Sequence, residues 1–172
     1  ESDESDGSFM KLPATVAVVT NIDPEHLDYW GDADRMQAGF DTFVSNIPFY
    51  GFAVLCIDHP AVQAMIARIT DRRIITYGFN PQAEVRGENL RLGPDGARFD
   101  VAINVRGSAP KKIRDFTSRM MGAHNVQNAC AAIAIAHEMG MDEATMKKAL
   151  AAFAGVKRHF TLPGESHGVR VI

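Results

Sequence analysis

Cysteine is scarce in this chain: Cys56 and Cys130 are the only two in 172 residues. Both sit in apolar runs, and they do not have metal-ligand spacing. That excludes a disulfide framework and a thiolate metal site, and it fits reduced thiols packed in a core. Charge of one sign is also lacking: the net charge is −3, with no basic run and no interleaving of basic and aromatic residues. A nucleic-acid surface is therefore not expected. No apolar stretch approaches a membrane span, and no signal peptide is expected. Several catalytic signatures are missing as well. Without GxSxG, HExxH or GxGxxG, the nucleophile-elbow hydrolase, zinc-protease and dinucleotide readings have little support. Without GxxxxGK(S/T), the chain has no recognisable phosphate cradle of its own.

What is present is one domain's worth of core, since 46% of the residues are hydrophobic. The chain opens on Glu1-Ser2-Asp3-Glu4-Ser5-Asp6-Gly7 rather than Met, and it is expected to be a piece of something longer. Val16 to Ile22 is a continuous apolar run, as in a strand buried on both faces, and Asp23 to Asp28 follows as a polar loop. Met36, Phe40, Phe43, Val44 and Ile47 trace a helical stripe ended by Pro48. Phe52 to Ile57 reads as a second strand, Asp58-His59-Pro60 as the start of a second helix, and Arg73 to Phe79 as a third strand. This alternation predicts parallel pairing. Beyond it, Val85 to Leu92 and Phe99 to Val105 flank the turn Gly93-Pro94-Asp95-Gly96, and Ile113 to Met121 is a candidate third antiparallel strand. A helix from about Ala123 to Met139 ends at Gly140, and Met141 and Met146 form a hydrophobic staple around Asp142 at the start of a last helix. Gly155 to Gly164 reads as a connector and Val169 to Ile172 as a strand. The expected fold is α/β, three-layered, with a mainly parallel sheet flanked by helices and a small antiparallel β subdomain over about residues 84–120.

Four groups could carry chemistry. His124, Asn125 and Asn128 cluster in the opening of an otherwise small and apolar helix, with 124 and 128 on one face. A helix start offers unpaired N–H groups and a positive dipole end; the plainer alternative is a close-packed helix in which Asn125 only satisfies backbone groups. The acidic start (Glu1, Asp3, Glu4, Asp6) supplies oxygen ligands suited to Mg²⁺, or is a solvated terminus. Asn21 to Asp28 follows a buried strand, where ligands of open α/β sheets bind, and His26 could complete a metal shell there; otherwise it is a surface turn. Gly155-Val156-Lys157-Arg158-His159-Phe160 is a basic cluster that could clamp a phosphate or simply complement a helix C-terminus.

Taken in order, these groups resemble the central ATP-binding domain of the Mur ligases. The resemblance is carried by Glu1 to Phe9, by Val18 to Ile22 with Glu25-His26-Leu27-Asp28, and by Asn46-Ile47-Pro48-Phe49-Tyr50-Gly51. Gly122 with His124-Asn125 and Asn128, and then Gly155 to Arg158, complete it. Each motif is modest alone; the ordered set, spanning nearly the whole chain, is specific. The family activates a carboxylate with ATP to an acyl phosphate, which an amine attacks to form an amide. The resemblance implies that Glu1 is a Mg²⁺ ligand beside the γ-phosphate and that His26 binds a second Mg²⁺. It places His124, Asn125 and Asn128 on the adenine side of ATP and Arg158 on the phosphates, with His26 and Arg158 in the catalytic roles. The first and third segments point to UDP-N-acetylmuramate and L-alanine as substrates, in cytoplasmic peptidoglycan synthesis, with no nucleic acid and no membrane insertion. It further implies residues 1–156 as the central domain without its phosphate-loop portion, and 157–172 as a linker with the first strand of a C-terminal domain. Such a piece alone is expected to be inactive. His159 stands where the family usually has Arg, so either Arg158 substitutes for that contact or the site is weakened. That substitution and the missing phosphate loop motivate an alternative: a non-catalytic nucleotide-binding or regulatory module on the same scaffold.

Overall fold

A computed structural model describes residues 2–155 and the backbone of residues 164–166 and 169–171. Its centre is a six-stranded sheet in the order β1-β2-β3-β4-β5-β6. β1 (Val16–Val19), β2 (Phe52–Cys56) and β3 (Arg73–Gly78) pair in parallel. Helices α2 (Ala33–Ser45) and α3 (Pro60–Ile66) form the crossovers. A short α1 (Leu27–Trp30) starts at the end of the segment that reads as a polar loop, with Trp30 buried and its indole Nε1 donating to the Glu4 carbonyl at 3.0 Å.

β4 (Val85–Gly93) continues the parallel order through only two pairs, Tyr77–Val85 and Gly78–Arg86, so residues 79–84 suffice to connect it. β5 (Gly96–Ile103) and β6 (Lys111–Ser118) then pair antiparallel. The antiparallel ribbon is thus the edge of the same sheet. Its two register breaks leave Asn89 and Asp115 at positive φ, and Asp100 ties both: one carboxylate oxygen accepts from Asn89 Nδ2 (2.8 Å), the other from the Asp115 N–H (3.0 Å). α4 (Ala123–Glu138) and α5 (Glu143–Ala152) complete the domain. A separate two-stranded pair joins β7 (Gly164–Ser166) to β8 (Val169–Val171).

The sheet has two packed faces. On one, Ala17, Val19, Ala53 and Leu55 meet Met36 and Val44 of α2, Val62 and Met65 of α3, and Phe9. On the other, Val54, Cys56, Ile75, Tyr77, Val85, Phe99 and Val101 meet Val126, Cys130, Ile133 and Ala134 of α4. Alternation along β2 therefore feeds both cores, and all five of its residues are buried. β1 departs from the expectation of two buried faces. α4 lies over β2, β3 and β4, and Val18 is left 38% exposed. The alanines of α4 let it approach the sheet closely. A Cβ on Gly87 of β4 would lie 3.2 Å from Cys130 Sγ and 2.9 Å from the Phe79 ring.

Candidate functional site

α4 begins at Gly122, whose φ is +93° and which offers no side-chain cap. A Cβ there would lie 2.7 Å from the His124 ring, so glycine lets the imidazole fold back against the helix start. The opposite face of α4 (Val126, Cys130, Ala134) is pressed on the sheet. That rotation turns His124, Asn125, Asn128, Ala129, Ala132 and Ile133 toward a cavity of about 660 Å³. Ser118 and Met120 close it on one side; Met141, Met146, Leu150 and Phe153, from α5 and its flanks, close it on the other. The floor is apolar and the polar atoms gather at the α4 N-terminus, which suits a flat ring with a few hydrogen-bonding edges. Asn125 also serves the backbone, its Nδ2 donating to the Met121 carbonyl at 2.7 Å. The three polar residues are thus brought together as expected, with Asn125 partly committed to the helix itself.

The second cluster lies beyond the carboxyl end of β1. His26 takes a left-handed conformation (φ 52°) as it starts α1, and its Nε2 is 3.9 Å from Glu4 Oε1. Ligand atoms of Asp3, Glu4 and His26 all lie within 4.8 Å of one another. Backbone and hydroxyl hydrogen bonds from Ser5 hold the Asp3 carboxyl below the usual carboxylate range, which keeps it anionic. Two carboxylates and an imidazole fit a divalent cation. Asp6, from the same acidic run, instead accepts from the Ser8 N–H at 2.9 Å. Glu1, Lys157, Arg158 and His159 lie outside the described residues.

Some contacts at this end of the sheet have no local sign in the sequence. His59 Nε2 sits 3.1 Å from Asp23 Oδ1, joining the loops after β1 and β2 across 36 positions. Asp58 accepts from Gln127 Nε2 at 2.6 Å across 69 positions, which fixes α4 over the carboxyl end of β2. The cysteines take no part: burial raises the Cys56 thiol and pushes Cys130 up to about 12, so both stay protonated and inert.

The profile of the Mur ligase middle domain matches residues 2–136. The chain belongs to the Mur ligase family. Similarity to a UDP-N-acetylmuramate–L-alanine ligase from Phenylobacterium zucineum reaches 59% identity over 172 residues, covering 100% of this chain and 36% of that protein. This Mur ligase chain therefore spans about a third of the length of the curated relatives it matches. Among solved structures, the UDP-N-acetylmuramate–alanine ligase MurC from Thermotoga maritima superposes with a TM-score of 0.74 at 25% identity, covering 96% of this chain and 35% of that one. The UDP-N-acetylmuramate:L-alanyl-γ-D-glutamyl-meso-diaminopimelate ligase from Neisseria meningitides gives a TM-score of 0.74 at 27% identity, covering 92% and 48%. Among the described residues, no helix is long and apolar enough to cross a membrane.

Proposed function

We propose that this chain is the nucleotide-binding middle domain of an ATP-dependent ligase that joins L-alanine to UDP-N-acetylmuramate in cytoplasmic peptidoglycan synthesis. The observation that carries the reading is the polar start of α4 over an apolar cavity, His124 and Asn128 at its rim, in a chain 59% identical to a protein named for that reaction. In the reaction, the substrate carboxylate attacks the γ-phosphate of ATP and ADP leaves. The amine of L-alanine then attacks the acyl carbon, phosphate leaves with the bonding pair, and the amine proton passes to solvent or base. Phosphoryl transfer of this kind depends on positioning and charge neutralisation more than on a nucleophile. That suits a site without an activated Cys or Ser.

In this assignment His124, Asn125 and Asn128 hold the adenine, and the apolar floor of the cavity excludes water from its faces. Glu1 would hold one Mg²⁺ and His26, with Asp3 and Glu4 beside it, a second, and the ions would supply charge neutralisation on the phosphates. Arg158, outside the described residues, would serve the phosphates. The two substrates are read mainly by parts of the protein outside this chain.

The test is ADP formation by the full-length protein that carries this chain. Release that requires both UDP-N-acetylmuramate and L-alanine is the expected result. ATP binding without such turnover would instead favour the non-catalytic module that His159, in place of the family's usual Arg, suggests.

A further inference from the structure

Asp58 stands two residues beyond β2 and its carboxylate has three partners. Oδ2 accepts from the Phe79 N–H at 2.7 Å and Oδ1 from the Asn80 N–H at 2.8 Å, which binds the start of the β3–β4 loop. Oδ2 also accepts from Gln127 Nε2 at 2.6 Å. Room for this carboxylate is made by Gly78, where a Cβ would lie 2.4 Å from Asp58 Oδ1. Two backbone bonds are enough to order the loop. The third reaches into α4, one position before Asn128.

That third bond is a side-chain tie at the start of α4, a helix otherwise held there by apolar packing of Val126 and Cys130 on the sheet. Its N-terminus has no side-chain cap and no acidic residue in the first turn. An uncapped helix start frays readily. A hydrogen bond to an ionised acceptor is stronger than a neutral one, so the contact from Gln127 in the second turn holds the helix start in place. Gln127 is half-buried and points to the sheet, whereas Asn128 faces the cavity. The bond therefore acts on the rotation and height of the turn that presents His124, Asn125 and Asn128.

We infer that Asp58 is a positioning residue for the nucleotide, acting through Gln127 to hold the α4 start in register with the cavity. The inference rests on the adenine-binding reading of α4. Its chemistry is specific: a donor at position 127 must meet the carboxylate at 58.

The experiment measures KM for ATP, KM for L-alanine and kcat in the full-length ligase carrying this chain. Gln127→Leu removes the donor at similar volume and leaves both backbone bonds to Asp58 intact. It is expected to raise the ATP KM by about fivefold, the effect of losing one positioned hydrogen bond, with kcat and the L-alanine KM unchanged. Gln127→Lys retains a donor and is expected to bring the ATP KM back to within about twofold of the parent. An unchanged ATP KM in Gln127→Leu, a comparable worsening of all three parameters (both KM values raised and kcat lowered), or a failure of Gln127→Lys to rescue overturns the inference. His124→Ala is measured alongside. If that variant also leaves the ATP KM unchanged, the adenine-binding reading itself fails; if it alone raises the ATP KM, only the role of Asp58 and Gln127 fails.

Discussion

Helices α2 and α4 pack on opposite faces of one sheet and are finished in opposite ways. α2 is closed at both ends. Asp32 caps its N-terminus by accepting from the Arg35 N–H at 2.8 Å. Just past its C-terminus, Arg72 donates to the Ser45 and Ile47 carbonyls at 2.6 and 2.8 Å. Along its side, Arg68 grips Asp41 with two bonds of 2.6 and 2.9 Å. α4 starts from an uncapped glycine and turns His124, Asn125 and Asn128 toward a cavity. A helix that packs only on the core can have its ends closed by neighbouring side chains; one proposed to hold a ligand keeps donors and acceptors free.

The contrast can be broken from either side. The largest stability effect is expected from Arg72→Ala, which strips the carbonyls at the end of α2 of a charged donor and costs about 2 kcal/mol. Chemical denaturation should record the loss while the affinity for ADP stays at the parent value. Gly122→Ala comes next. A side chain at φ +93° is strained and would push the His124 ring away. We expect about 1 to 2 kcal/mol of destabilisation and, unlike at Arg72, a roughly tenfold weaker ADP affinity by calorimetry. Asp32→Ala removes the α2 cap for about 1 kcal/mol and should leave nucleotide binding untouched.

The smallest effect is a pH dependence in the ribbon. Lys112 and Arg86 hold the Glu88 carboxyl below its ordinary value of 4.5. A depressed folded value means that the contribution is full above the unfolded value and disappears as pH falls through the folded one. Glu88→Gln should therefore flatten the acid limb of the stability curve below about pH 4.5, by a small amount because solvent screens the Lys112 ammonium, which is 42% exposed.

The apolar stripe of α2 and its stop are local, and so they are legible in the sequence, whereas its ties to Arg68 and Arg72 span 25 to 27 positions and are not. The stripe Met36, Phe40, Phe43, Val44, Ile47 and the stop at Pro48 give α2, and Pro60 gives α3 its first residue. Asp142 accepts from the Thr145 N–H at 2.9 Å as the α5 cap between its flanking methionines. The hairpin turn falls where Gly93 meets Gly96. On the ligand side the sequence shows which residues are polar but not what they touch. Nothing near Asp58 announces Gln127, and nothing near His59 announces Asp23, because those pairs form only when strands and helix are assembled. α1 was hidden for the same reason. Trp30 is held by a bond to Glu4, 26 positions away, and that tie helps bring Glu4 to His26. Val18 reads as core because apolar runs do not disclose how far a covering helix reaches.

The central claim, that the start of α4 holds an adenine nucleotide, is tested most directly by titrating ADP into the full-length protein and into its Asn128→Ala variant by calorimetry. Saturable binding to the parent, weakened about tenfold by the loss of one or two hydrogen bonds in the variant, is the predicted result. Equal affinity in the two proteins would contradict it.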